Sequence, residues 1–481
     1  MISKFATIIF LISSTLPVFC QFERNFSPAI IDDTIPPDIH EFLKKQLALD
    51  KASSKEPKQK INDFINEIYE KRFTYLVKSF NSDYMMVNSS LSEYLESLTD
   101  QILKSNPQIP RDIRIFPYRS NVPNALSYGN GIITVMLGLL TKLENDDQVT
   151  FTLCHEIAHH YLKHSSTHIT EVARLNYDKE LKKKFNQAKN SEYNNYTKLK
   201  ELMTSVDLSL NRHGREHEYE ADSVGLIFYL NTPFNSSEAI RCLEILDSVD
   251  TNKNTRLIDL KKNFDFKEYR FKETWQVYPT GGMWHKQPDV SDSGKTHPSC
   301  TKRASALNRQ LAISGKNIAT DKQISKHNII ALAKFELIES QYHFKEYGNA
   351  LFNSMMLIQE YPNNIYLHAM VSKCLFQLFV HQKKHELGKV LALPDPRYPE
   401  NYNRLLTFIH KLRLTELASL SYYYATTKSA DYFNNEHFLY ATWLISFLDI
   451  SQIDPESIKE DYIRKFPQSR YSKQMKTNPK F

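Results

Sequence analysis

One short stretch, Phe151–His164, constrains this chain more than any other, and it reads FTLCHEIAHHYLKH, with the motif H-E-x-x-H. The segment from Leu139 to Thr170 contains no Gly or Pro, which predicts a helix through the motif. His155 and His159 are four residues apart, so on a helix they share one face and can bind the same metal ion. Zinc suits this pair, since imidazole nitrogen is a good ligand for it. Glu156 lies about 100° round the helix from His155, where it can act as a general base toward water.

A second motif, E-x-x-A-D, lies downstream in REHEYEADSVGL and supplies a third ligand. Glu218 and Asp222 are also four residues apart, so they share a helix face. Two histidines and Glu218 leave the fourth position of a tetrahedral zinc site open, as a catalytic site requires. Asp222 is then placed to accept a hydrogen bond from a ligand imidazole and to orient it. The alternatives are a surface helix with two chance histidines and an ordinary acidic helix, and the coincidence of both motifs argues against them.

In this order and separation, the two motifs resemble those of gluzincin peptidases of the HtpX, Oma-like and CAAX prenyl protease type, including periplasmic BepA-like members. The stretch VPNALSYGNGIITVMLGLL, Val122–Leu140, is similar to the family's N-A-[FL]-x-x-x-G-G-x-I-x-V-x-x-G-L-L segment. THPSC at Thr296–Cys300, followed by Arg303, is similar to the family's late S/T-H-P segment, so the resemblance extends over roughly Ser90–Leu311. Asn130 stands where the family has the first of two glycines. Because Asn tolerates left-handed backbone angles, we expect this turn to survive.

The resemblance also implies how the site is built. It implies a zincin-type domain with one Zn²⁺ ion per chain on the two histidines and Glu218, and Glu156 as the catalytic base. In the resembling family the late segment approaches the metal, so His297 is a second catalytic candidate, either stabilising the oxyanion or occupying the fourth zinc position at rest. A plain structural turn is the alternative for His297. Arg303 is expected to support the site by pairing with an acid.

A short β-structure is predicted before the metal-binding helix. Asp112–Tyr118 is predicted to form a strand, and Val122–Val135 a hairpin that turns at Gly129-Asn130-Gly131. In gluzincin-type enzymes an edge strand above the active-site helix pairs with the extended substrate. We therefore predict substrate contacts from the first arm of the hairpin, with an ordinary edge strand as the alternative. The predicted substrate-binding residues are Asn124, Ala125 and Leu126.

Three other residues near the first motif are predicted not to bind the metal. On a helical wheel, His160 and His164 lie roughly opposite the face that carries His155 and His159. Cys154 points about 100° away from His155 and is predicted to be a small buried residue.

The first twenty residues, MISKFATIIFLISSTLPVFC, have the pattern of a secretory signal peptide. They combine a positive charge at Lys4, an apolar core and small residues before Gln21. We therefore expect an exported protein, periplasmic or secreted, with at most peripheral membrane contact. The alternatives are an uncleaved membrane anchor and, less favoured, a lipoprotein attached through Cys20.

The chain is too long for one ordinary domain. We predict a signal peptide at residues 1–20, an N-terminal helical segment at 21–87, a zinc metallopeptidase domain at 88–312 and a helical domain at 325–470. The predicted fold is mainly α with a small β-sheet. It consists of the zincin-type metallopeptidase domain followed by an all-α domain of tetratricopeptide-repeat (TPR) type.

The TPR prediction rests on the pattern of Asn328–Pro362, which indicates a pair of helices. Tyr347, Ala350 and Leu351 within it resemble a TPR of about 34 residues. A second helical pair is predicted from Asn364 to His385. Surfaces of this kind usually bind protein segments, and the alternative is a packed helical bundle that supports the peptidase domain.

The predicted function is that of a zinc-dependent endopeptidase with polypeptide substrates. The resemblance implies misfolded or unassembled envelope proteins as these substrates, with the tail recruiting them or docking onto an envelope protein assembly. A net charge of +6, without basic clusters interleaved with aromatics, gives no sign of nucleic-acid binding. The alternative function is a TPR-type adaptor or chaperone with a silent peptidase domain. A structural zinc protein is less favoured, because closed structural sites usually contain Cys ligands.

Overall fold

The structure, a computed structural model, describes residues 22–29, 31, 34–189, 214–248, 257–276, 299–314 and 329–476. The predicted signal peptide at residues 1–20 and the candidate residue His297 lie outside the described residues. Within the described ranges, every helix is too short or too polar to span a lipid bilayer.

Helices make up most of the described structure, with one small sheet among them, which agrees with the predicted mainly α fold. The helices are α1 (Pro37–Ser53), α2 (Gln59–Asn81), α3 (Ser90–Ser105), α4 (Leu137–Leu140), α5 (Asp146–Tyr161), α6 (His164–Asn176), α7 (Lys179–Lys189), α8 (214–230), α9 (Glu238–Ser248), α10 (Leu260–Phe264), α11 (Cys300–Ile313), α12 (Ile329–His343), α13 (Tyr347–Ile358), α14 (Ile365–Lys383), α15 (Glu400–Lys411), α16 (Leu414–Tyr432), α17 (Glu436–Ile445), α18 (Pro455–Lys465) and α19 (Tyr471–Gln474). The strands are β1 (Arg114–Tyr118), β2 (Ala125–Ser127) and β3 (Ile132–Met136).

The described sheet has the order β1-β3-β2, with β1 parallel and β2 antiparallel to β3. The predicted strand and hairpin are therefore both confirmed. The positive backbone angles of the turn fall on Gly129 (φ 80°) and Gly131 (φ 83°), whereas Asn130 keeps an ordinary angle. The side chain of Asn130 accepts a hydrogen bond from the backbone N–H of Ile132 at 3.3 Å. The turn thus survives without a left-handed Asn.

The helix that carries the first motif ends earlier than the sequence indicates. Helix α5 stops at Tyr161, and Lys163 adopts a left-handed conformation (φ 59°) before α6 begins at His164. The predicted continuous helix through His164 is therefore wrong. Because Lys163 redirects the chain, a helical wheel drawn from α5 does not give the direction of His164.

Two hydrophobic cores share helix α12. Ile329, Ala333 and Leu337 belong to the core that contains the sheet, α3, α5 and α9. Phe335 and Ile338, on the same helix, belong to the core of the C-terminal helices. Buried apolar surface in both directions stabilises the packing of the tail, here α12–α19, against the peptidase domain.

The tail departs from the predicted repeat in one place. Helices α12 and α13 form the first predicted pair and pack against each other. The second predicted pair, Asn364–His385, is instead the single helix α14, since no Gly or Pro interrupts it. Helix α14 is buried along most of its length and contacts α13, α16 and α17. Burial on several sides is typical of a bundle, so the TPR-like repeat stays a prediction.

The N-terminal segment packs onto the tail. The rings of Phe22 and Phe26 stack on that of Phe335, with centroid distances of 5.1 and 4.8 Å. The backbone N–H of Ala29 donates to a carboxylate oxygen of Glu336 at 2.7 Å. These contacts join two segments of the chain that lie 307 residues apart at the Ala29–Glu336 hydrogen bond.

Candidate metal centre

Helices α5 and α8 hold the side chains of the candidate metal centre. Asn145 caps α5 by accepting a hydrogen bond from the backbone N–H of Gln148 at 3.0 Å. Helix α8 packs so closely on α5 that a Cβ built on Gly225 would lie 3.0 Å from the Cα of His155. Gly225 and Glu218 lie on the same face of α8, two turns apart. The glycine therefore permits the close approach that brings Glu218 to the first motif.

Three ligand atoms converge between these helices. The Nε2 atoms of His155 and His159 lie 3.1 Å apart, and carboxylate oxygens of Glu218 lie 3.6 and 3.5 Å from them. Zinc with ligand bonds near 2.1 Å and tetrahedral geometry places its ligands about 3.4 Å apart. The spacing and the donor set of two imidazoles and one carboxylate therefore both fit a zinc ion. The three residues form a group that could hold a metal ion.

A buried acid and an arginine support the first ligand. Nδ1 of His155 lies 3.0 Å from Asp222, and Arg303 donates two hydrogen bonds of 2.7 Å to the same carboxylate. A further guanidinium nitrogen of Arg303 lies 3.2 Å from Glu218. Asp222 is thus placed to hold a proton on Nδ1 of His155, which leaves the Nε2 lone pair for the metal.

The charges around His155 shift its pKa and that of its partner. Burial alone lowers the pKa of His155, but the hydrogen bond and charge of Asp222 outweigh it, so the pKa lies above its usual value. Burial alone raises the pKa of Asp222, but hydrogen bonds from Arg303 and His155 outweigh it and lower the pKa. Asp222 therefore stays ionised, and a metal ion competes with a proton for His155.

His164 lies beside the second ligand, where the helical wheel did not place it. Its Nδ1 is 2.9 Å from Nδ1 of His159, and its Nε2 is 3.1 Å from a carboxylate oxygen of Glu220. The prediction that His164 faces away from the metal site is therefore wrong, because the turn at Lys163 points the start of α6 back toward α5. Burial, with the neighbouring His159 and His217, lowers the pKa of His164 to about 4. The density of histidines in HHYLKH was the signal for this contact.

A cavity of about 410 Å³ opens beside the ligands. Glu156 lines it together with His155, His159 and Glu218, and only 8% of Glu156 is exposed. Apolar residues form much of the remaining wall, and they include Leu139, Phe151, Leu243 and Leu246. The site thus combines three candidate metal ligands and one further acid with room for a side chain of a substrate.

The predicted substrate strand borders the same cavity. Strand β2 lies at one edge of the described sheet, and residues 123–127 line the cavity. Asn124, Ala125 and Leu126 are therefore brought to the metal centre, and 41% of Leu126 is exposed.

The hydrogen bonds between β2 and β3 decide which backbone groups of β2 remain available. The carbonyl of Asn124 accepts from the N–H of Met136 at 3.0 Å, and the N–H of Tyr128 donates to β3 at 3.0 Å. Alternate residues of an antiparallel strand bond to the same neighbour, so the backbone groups of Ala125 and Ser127 face away from β3. An extended peptide added at this edge would pair with these two residues.

The other residues near the motif lie away from the three ligands. Cys154 is fully buried, as predicted, and its burial raises its pKa well above the usual value. His160 lies with its Nε2 3.9 Å from Asp112, and burial lowers its pKa.

The comparisons with known proteins agree with this geometry. Residues 89–311 match the family model of Peptidase family M48, a range that contains both motifs, the sheet and Arg303. No curated protein matches the chain. Members of this family are zinc-dependent peptidases, and the three grouped ligands are the residues that suit zinc here. Residues 89–311 are therefore similar to Peptidase family M48, and the chain is a zinc-dependent metalloendopeptidase with polypeptide substrates.

Proposed function

We propose that His155, His159 and Glu218 bind the catalytic zinc ion and that Glu156 is the general base. The observation that carries this proposal is the spacing of 3.1–3.6 Å between the three ligand atoms, at a cavity that Glu156 also lines. Zinc bound there would supply Lewis acidity, which makes water a better nucleophile and polarises a peptide carbonyl.

In this proposal Glu156 carries out both proton transfers of peptide hydrolysis. Its carboxylate takes a proton from the water that attacks the carbonyl carbon, and it then gives this proton to the amine that leaves. The hydroxyl of the water thus becomes part of the new carboxyl group, and its proton goes to the new amino group. Asp222 and Arg303 keep His155 oriented through this cycle. His297 stays a predicted second catalytic residue.

The substrate in this proposal is an extended, unfolded segment of polypeptide. A segment that pairs with the backbone of Ala125 and Ser127 must be extended and free of its own secondary structure. Together with the signal-like pattern of residues 1–20, this supports a role in removing misfolded or unassembled envelope proteins after export. The tail would recruit such proteins or dock onto an envelope assembly, as the resemblance implies.

The direct test compares the chain from Gln21 onward with its Glu156→Gln variant on a labelled, permanently unfolded protein. We expect kcat to fall about 10²–10⁴-fold, the contribution of general acid–base catalysis, with zinc content unchanged. Glu96→Gln, the same substitution on the exposed face of α3, serves as the matched control and should cleave like the wild type. Cleavage by Glu156→Gln at the wild-type rate would show that another group is the base.

The role in quality control needs separate tests. We expect a test protein to be cleaved in its unfolded form and spared in its native form, whereas equal cleavage of both would argue against unfolded substrates. Export is tested by N-terminal sequencing of the protein from a secretion-competent host. The expected first residue is Gln21, and an intact Met1 would support the uncleaved anchor.

A further inference from the structure

His164 occupies an unusual position for a residue outside the predicted ligand set. It is the first residue of α6, only 6% of it is exposed, and its Nδ1 lies 2.9 Å from Nδ1 of His159. Lys163, in a left-handed conformation, separates α5 from α6 immediately before this residue and redirects the chain there. On its other side, Nε2 of His164 lies 3.1 Å from Glu220.

Only one arrangement of protons satisfies these contacts when His159 binds zinc through Nε2. A neutral imidazole with its Nε2 lone pair on a metal carries its proton on Nδ1. His159 must then donate from Nδ1, and His164 must accept at its own Nδ1. The proton of His164 is therefore on Nε2, where it is donated to the Glu220 carboxylate.

We infer that His164 is a positioning residue for His159, accepting the hydrogen bond that fixes the ring plane and tautomer of this zinc ligand. The inference rests on the proposed ligand set. Each of the two histidine ligands then has a partner that orients it, and the two partners differ in chemistry. Asp222 serves His155 with a carboxylate, and His164 serves His159 with a neutral imidazole that is itself held by Glu220.

The rival assignment is a second metal ion on His164, His217 and Glu220, whose ligand atoms lie within 4.8 Å of one another. A metal on Nε2 of His164 would put the proton of that ring on Nδ1. This proton would then point at the Nδ1 proton of His159 across 2.9 Å, with no acceptor between them. The hydrogen bond and the second metal ion exclude each other while His159 binds zinc. The contact between the two rings fits the hydrogen bond.

His217 has a different part in this arrangement. Its ring stacks on that of His164 at a centroid distance of 4.2 Å and an interplanar angle of 12°. Stacking of this kind restricts the tilt of the His164 ring and leaves both of its nitrogens directed at their partners. Removal of the His217 ring should therefore disturb zinc binding much less than removal of the Nδ1 acceptor.

The test measures the zinc affinity and stoichiometry of the full chain from Gln21 onward by competition with a chromophoric chelator. His164→Leu removes the acceptor, and we expect zinc to bind about 10–100-fold more weakly, as for other partners of metal ligands. His164→Asn places an amide oxygen close to the position of Nδ1, so its zinc affinity should stay within about threefold of the wild type. His217→Leu should behave like His164→Asn, with one zinc per chain.

Two results would overturn the inference. Wild-type zinc affinity in His164→Leu, or weakening by His164→Asn as severe as by His164→Leu, would show that acceptance at Nδ1 does not matter. A second zinc in the wild type that His217→Leu loses would establish the second metal site instead. The melting temperatures of the zinc-free variants show whether Leu at position 164 disturbs folding, in which case the Asn variant decides. Zinc binding that survives Glu218→Ala would instead reject the proposed ligand set.

Discussion

The metal centre and one part of the tail both bury ionisable side chains, but these side chains have different roles in the two regions. The tail cluster combines one acid with bases and aromatic hydroxyls in a largely buried group, and it consists of Glu339, Tyr366, Lys373, His437, Arg470 and Tyr471. In the tail cluster, Glu339 accepts from Tyr366 at 2.6 Å and from Arg470 at 2.9 Å. The ammonium of Lys373 lies 4.2 Å from the centre of the Tyr342 ring. Each charge in this cluster thus has a protein partner.

The metal centre leaves its acceptors facing one another. Two imidazole nitrogens and a Glu218 carboxylate converge within 3.6 Å, and they line a cavity that the tail cluster does not reach. Lone pairs that converge in this way are stable when a cation binds between them. The comparison teaches that buried ionisable groups alone do not identify an active site. What distinguishes the site is a donor set of two imidazoles and one carboxylate that converges at an open cavity.

The largest effect on folding should come from the tail cluster. Burial alone raises the pKa of Glu339, but Lys373, Arg470 and Tyr366 outweigh it and lower the pKa to about 2. Glu339→Gln leaves the buried Lys373 and the partly buried Arg470 without their acid, and we expect a loss of about 3–5 kcal/mol in the free energy of unfolding, with zinc affinity unchanged per folded chain. Denaturant unfolding and zinc competition measure the two quantities, with the exposed Glu346→Gln as control. A loss of zinc affinity would mean that the two regions are coupled.

A smaller effect, dependent on pH, is expected where the tail meets the peptidase domain. Burial raises the pKa of Glu336 to about 7, with partial compensation from the charge of Arg119. The folded chain thus keeps this proton to higher pH than the unfolded chain. The stabilisation is complete below about pH 4.5 and is lost as pH rises toward about 7, by at most about 3 kcal/mol.

The measurement for Glu336 is denaturant unfolding between pH 4.5 and 7.5. Glu336→Gln mimics the protonated acid, so the difference in stability between wild type and variant should change across this range. Glu339, on the same helix, has its pKa shifted in the opposite direction, so its contribution is lost only below about pH 4.5. A constant difference between wild type and Glu336→Gln would contradict the assignment.

The smallest effect is expected at the support of the first zinc ligand. Asp222→Asn keeps the shape of the side chain but removes the charge that holds the His155 proton, so zinc should bind about 10–100-fold more weakly. Asp100→Asn, on the exposed side of α3, is the matched control for the same chemical change. Unchanged zinc affinity in Asp222→Asn would show that Asp222, like Glu339 in the tail cluster, has a purely structural role.

Local spacing predicts the parts of the site that depend on one helix. The i, i+4 pairs His155–His159 and Glu218–Asp222 share faces because helix geometry alone sets them. Their meeting depends on tertiary packing, with Gly225 against the backbone of His155, and it is indicated by the complementary donor set and by the family resemblance rather than by local spacing. The antiparallel hairpin was also predictable, since its two glycines mark the turn.

Two features of the sequence-based prediction are wrong, for different reasons. Left-handed angles at a helix end usually fall on Gly or Asn, whereas here Lys163 adopts one, so His164 was placed on the wrong side. The single helix α14 was interpreted as a pair because repeat patterns suggest a turn, although its sequence contains no helix breaker. The local sequence of α14 is thus sufficient for one helix, whereas no local signal marks the left-handed angle at Lys163.

The most direct test of the central claim compares two acids on α8 that lie two residues apart. Zinc content is measured by mass spectrometry of the metal in wild type, Glu218→Ala and Glu220→Ala, each purified from Gln21 onward in equal zinc. Our account predicts one zinc per chain in the wild type, loss of zinc in Glu218→Ala, and retention in Glu220→Ala with at most a modest weakening. Loss of zinc from Glu220→Ala together with full retention in Glu218→Ala would contradict it and place the metal on the second histidine cluster.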